Sequence, residues 1–62
     1  MIVEKQCYVI ATTHHPIEFR SSDGELSPYY EDAALFTETE AEELIEGIAG
    51  LQIMSVTASL VV

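Results

Sequence analysis

The 62-residue chain has almost no basic side chains. Lys5 and Arg20 stand alone against eleven Asp and Glu, for a net charge of −9. Contacts to phosphate need Lys and Arg, so this scarcity argues against direct binding of nucleic acid and against an anionic membrane surface. Cysteine is scarce as well. Cys7 alone cannot close an internal disulfide, the usual staple of small secreted domains. No apolar run is long enough to span a bilayer, and the opening residues MIVEKQC lack the apolar stretch of a signal peptide. The expectation is a cytoplasmic protein with Cys7 reduced. Also missing are a glycine-rich phosphate loop, an HExxH pair and a nucleophile elbow. These absences predict a protein that is not an enzyme and carries no cofactor.

Enough apolar material is present for a core, since 48% of the residues are hydrophobic, which argues against disorder. Repeats, low-complexity stretches and internal boundaries are absent, so residues 1–62 form one small domain. A chain this short buries only about 60% of its unfolded surface and is marginal by itself.

The residues from Phe36 to Leu51, FTETEAEELIEGIAGL, read as one amphipathic helix. Thr37 and Glu40 have the spacing of a capping box, with Phe36 and Ala41 at the staple positions around it. Gly50 suits a left-handed stop, after which Leu51 folds back on Ile45. Ala41, Leu44, Ile45 and Ile48 make the apolar stripe.

Strands flank this helix. Cys7 to Thr13 is β-branched and aromatic, with Cys7, Val9 and Ala11 toward the core and Tyr8 and Ile10 on the other face. His14-His15-Pro16 breaks it. Ile17 to Arg20 alternates and completes a hairpin, with Ile17 and Phe19 inward, and Ser21-Ser22-Asp23-Gly24 is a turn. Glu25 to Tyr30 is irregular, and Glu31 to Phe36 predicts a helical turn that tucks Leu35 and Phe36 under the sheet. Gln52 to Val62 alternates throughout, with Met54, Val56, Ala58, Leu60 and Val62 on one face. The expected fold class is α+β, a three-stranded antiparallel sheet in the order β-β-α-β, with the helix on one face and the last strand antiparallel to the first. The opposite face, with Tyr8, Ile10, Ile53 and Val61, is then open and offers a dimer face built on Tyr8, Ile10 and Ile53.

Nine of the eleven acids lie between Asp23 and Glu46. On the helix, Glu38, Glu42 and Glu46 recur four apart with Glu43 beside them and no Lys or Arg between. Like charges at that spacing cost roughly 0.2–0.5 kcal/mol per pair, so a helix built for stability alone would mix in cations. The bland alternatives are a solubilising face or an adaptation to high salt. The functional one is a surface for a cationic partner, reached by electrostatic steering and weakened by salt. Carboxylates at Asp23, Glu25, Glu31, Asp32, Glu38, Glu42, Glu43 and Glu46 would then stand in for phosphates, and four helical residues rise about 6 Å against ~7 Å between phosphates. Tyr29 and Tyr30, next to acids, either cover the core edge or anchor a partner's Arg. His14 and His15 are adjacent and diverge in a turn, whereas zinc needs three or four converging ligands. A small metal-binding protein using these two is the third alternative. Cys7 and His14 make an unconvincing nucleophile and base, because Cys7 sits on the expected core face as a packed thiol.

The chain as a whole resembles the small acidic orphan proteins of tailed phages, through YVIATT, SSDGELS and above all DAALFTETEAEELI, in which an Ala-x-x-Phe segment leads into a capped acidic helix. The likeness covers nearly the whole chain and is one of pattern, so no site residue is carried over. It implies a non-catalytic inhibitor of the anti-CRISPR or anti-defence kind, acting in a bacterial cytoplasm as a DNA mimic on a basic nucleic-acid-binding complex. The alternative is a homodimeric structural or regulatory module of a phage or mobile element.

Overall fold

Strand β1 runs from Ile2 to Thr12, five residues earlier than the β-branched stretch that announces it. It is drawn out by β4, Leu51–Val61, which pairs with it antiparallel at all eleven positions, from Ile2 opposite Val61 to Thr12 opposite Leu51. The computed structural model describes residues 1–61, the side chain of Leu60 excepted. The inward positions expected for Leu60 and Val62 therefore lie outside the described residues. Beyond β1 come β2, Phe19–Arg20, and β3, Leu26–Ser27, giving an antiparallel sheet in the order β3-β2-β1-β4. The fold class is α+β as expected, with one α-helix among the described residues, and the last strand lies beside the first. The sheet has four strands where three were expected, because the irregular Glu25–Tyr30 stretch contributes β3.

The hairpin between β1 and β2 is built around Thr12, the one buried polar residue described. Its hydroxyl donates to the His14 carbonyl at 3.2 Å and accepts from the Glu18 amide at 3.0 Å, so burial leaves it satisfied. The His15–Pro16 peptide in this loop is cis. The β2–β3 turn is closed by Ser21, whose amide donates to the Glu25 carbonyl at 2.8 Å.

Helix α1 spans Glu38–Ile45. It begins where expected and stops a turn early. Glu46 is its C-cap and Gly47, at φ +78°, takes the left-handed position assigned in advance to Gly50. Gly50 instead turns the chain into β4, and its carbonyl accepts from the Thr13 amide at 3.0 Å. The shortened helix buries Ala41 completely but leaves Leu44 and Ile48 exposed, so half of the expected apolar stripe faces solvent. The Tyr30–Asp32 stretch is a 3-10 turn. Phe36 is half buried, but Leu35 is exposed and not tucked under the sheet.

The core sits at the C-terminal half of β1. Val9, Ile10 and Ala11 are fully buried together with Ala41. Successive strand residues point to opposite faces, so both faces of the sheet are covered here. This corrects the expected open face. The carboxylates of Glu38 and Glu42 lie near enough to the Tyr8 phenol to raise its pKa, which sets α1 on the Tyr8 and Ile10 face. Tyr30, Ala33 and Leu35 border a hollow with Val9 and Val56 on the other. Ile10 is thus core, Tyr8 and Ile53 are half buried, and the three do not form a dimer face. What is uncovered is an end of the sheet: Met1, Ile2, Val3 and Val61 are all exposed.

Candidate functional site

The acidic helix is held at its N-terminus by the capping box expected from Thr37 and Glu40. The Glu40 amide donates to Thr37 Oγ1 at 3.2 Å, and the Thr37 amide donates to Glu40 Oε1 at 3.1 Å. Glu40 is thereby folded back on the backbone. The chain before the cap is pinned to β1, where Tyr8 and Phe36 exchange amide-to-carbonyl bonds of 2.9 and 2.8 Å. This brings Glu38 to the Tyr8 phenol. The hydrogen bond to Glu38 comes first among the causes that hold the Tyr8 pKa above its ordinary value, followed by desolvation and then the charges of Glu38 and Glu42.

Both Glu38 and Glu42 therefore flank the sheet on the Tyr8 side. Glu46, as C-cap, falls beyond the last helical turn. The expected row of three becomes a pair with Glu46 displaced. The carboxylates of Glu42, Glu43 and Glu46 are exposed, and none is tied by a structural hydrogen bond among the described residues.

Asp23, Glu25 and Asp32 form a second group around an open hollow at the β2–β3 turn, shared with Ser21 and Ser27. Two of these acids shape the loop. Asp23 accepts from the Ser21 hydroxyl and, at 3.2 Å, from the Glu25 amide. These bonds, Ser21 first, hold its carboxyl below the usual carboxylate range, with the Arg20 charge a lesser contribution. Asp32 accepts from the Ser27 hydroxyl at 2.7 Å. Glu31 lies apart, on the Val9 side with Tyr30.

The tyrosine pair divides between its two readings. Tyr30 meets the Phe19 ring edge-on, centroids 5.5 Å apart at 90°, and closes the margin of the core. Tyr29 is 62% exposed and Tyr30 55%, so both rings can be reached by a partner, and Tyr29 has no ring contact among the described residues. Arg20 lies 5.6 Å over the Phe36 ring and Lys5 is out on β1, so neither cation lies on the helix itself. His14 and His15 are exposed in the β1–β2 loop, and no three His, Cys, Asp or Glu side chains among the described residues are placed to hold a metal. Among the described residues no helix is long and apolar enough to cross a membrane.

All ten residues expected to meet a partner are exposed, but seven of the acids fall in the two groups described and Glu31 lies apart, so they do not form one ridge. Sequence reasoning missed the Tyr8–Glu38 contact, for which the chain carries no local signal. An edge strand was expected as one way for two copies to pair, but the sequence reading did not single out β4, whose lack of charge was there to be read. No protein-family model, curated protein or solved structure matches the chain.

Proposed function

We propose that the protein is a non-catalytic inhibitor whose acidic surface occupies the basic, nucleic-acid-binding surface of a host defence complex, such as a CRISPR-Cas effector, in place of DNA. The observation that carries the reading is the helix. Glu40 caps and Glu38 lies by Tyr8, but Glu42, Glu43 and Glu46 are exposed, make no hydrogen bond or ion pair among the described residues and have no cation on their element. A fold does not need such a cluster, which costs helix stability. A Lys- or Arg-lined groove would neutralise it, and Tyr29 offers a ring for an Arg to stack on.

The experiment is a low-salt pull-down from a bacterial host, comparing the wild type with a variant carrying Glu38→Gln, Glu42→Gln, Glu43→Gln and Glu46→Gln. Gln keeps an oxygen to accept from Tyr8, so the fold survives the change. The expected result is one nucleic-acid-binding complex captured by the wild type, released by competing DNA and lost with the variant. If both proteins capture the same partner, or neither captures any, the acids serve solubility and the proposal is wrong.

A further inference from the structure

β4 is the last strand of the sheet, and its side away from β1 meets no strand among the described residues. The direction of its free backbone groups follows from β1. Tyr8 exchanges both of its backbone bonds with Phe36, and the Thr12 amide donates to Glu18, so the even-numbered residues of β1 turn their N–H and C=O away from β4. These directions alternate along an antiparallel ladder. On β4, the residues opposite them, Leu51, Ile53, Ser55, Thr57, Ser59 and Val61, therefore present their N–H and C=O at the free edge. Edge strands are ordinarily blunted by Lys, Pro, a bulge or short length. β4 is eleven residues of LQIMSVTASLV, without charge, Gly or Pro, and its register against β1 has no bulge.

The molecule is also too open for its size. Its radius of gyration is 12.1 Å and its long dimension 39 Å, where a compact chain of this length has a radius of about 10.5 Å. It exposes 4461 Å², against about 4,000 Å² for a compact monomer of its mass. That excess, about 460 Å² over a compact monomer, is a little over half of the ~800 Å² that each partner buries in a standard specific complex.

We propose that the occupant of this edge is a second copy of the chain, with β4 pairing antiparallel to the partner's β4 about a two-fold axis at Val56. Charge selects the edge. Each copy carries −9, and β4 is the long element on which two copies meet without setting acid against acid. The sheet's other edge strand, β3, is only two residues long, and the free N-terminal half of β1, centred on Glu4, would set that acid opposite its own copy, where like charges are unfavourable. Register supports the same axis. Centring on Val56 sets Ser55 opposite Thr57, Ile53 opposite Ser59 and Leu51 opposite Val61, so every outward N–H and C=O finds a partner. It also lays the exposed Ile2 and Val61 of one copy beside Leu51 of the other, on the face that α1 covers. Such an interface is isologous and closed.

The test is the mass of the full chain in solution at tens to hundreds of micromolar, by light scattering and sedimentation, for wild type, Thr57→Lys and Thr57→Pro. The Thr57 amide points outward, so Pro there removes an edge donor and leaves the β1 ladder intact. The expected wild-type mass is twice the 6.8 kDa of the chain, and both variants fall to the single mass with unchanged circular dichroism. A wild type that stays monomeric over the range, or variants that remain dimeric, would overturn the proposal. Amide exchange of the wild type gives a reading that needs no variant. Ile53, Ser55, Thr57 and Ser59 exchange as slowly as Met54 and Val56 in a dimer, whereas fast exchange at those four positions rejects the pairing. None of these outcomes depends on the acidic surface having a partner.

Discussion

Tyr8 shows how one side chain ties the acidic surface to the fold. Interaction with Glu38, desolvation and the charge of Glu42 raise its pKa, so the folded state holds the phenolic proton more tightly than the unfolded chain does. A raised folded-state pKa contributes stability that is fully present below the unfolded value, about pH 10, and is lost as pH rises through the folded value. Asp23 works in the opposite sense. Its pKa is lowered, so its contribution is present above the unfolded carboxylate value and is lost as pH falls. For Tyr8 the expected result is that Glu38→Ala moves the phenol titration down, read by phenolate absorbance in a Tyr29→Phe, Tyr30→Phe background. An unchanged midpoint would mean that Glu38 is not its partner. The residue types were evident in the chain, but a contact between positions 8 and 38 depends on the Tyr8–Phe36 bridge, which leaves no local pattern.

At the scale of elements, what was readable was what is local. The capping box spans four residues, and its two hydrogen bonds need only the helix itself. Thr37→Ala is expected to cost about 1 kcal/mol, measured as a lower urea midpoint, while Glu43→Gln leaves the midpoint within about 0.5 kcal/mol. Equal effects from the two changes would show that the cap carries no stability. The other end of the helix was misplaced because Gly47 and Gly50 are equally good stops. The need to start β4 at Leu51, opposite Thr12, decides between them, and that need is tertiary. The face assignment failed for a related reason. Tyr8, Val9, Ile10 and Ala11 are apolar on both sides of the strand, so alternation cannot say which side the helix covers. β3, two residues long, is too short to show any period.

The whole molecule combines a high negative charge with a long strand that has none, and ionic strength separates the two. Raising salt from 0.01 M to 0.15 M shortens the Debye length from about 30 Å to about 8 Å. Attraction between the acidic surface and a cationic partner weakens over that range. Repulsion between two copies of charge −9 weakens as well, and pairing through the uncharged β4 edge depends on backbone bonds and apolar contact that salt does not screen. One salt titration is therefore expected to give opposite signs: capture of the basic partner falls while the dimer fraction at fixed protein concentration rises. Partner capture is read by pull-down and self-association by sedimentation. If self-association falls with salt instead, the copies are held by Lys5 or Arg20 against acids and not by β4. If capture does not fall, the helix carboxylates are not at the interface. The two surfaces lie on separate parts of the chain, so either sign can fail while the other stands.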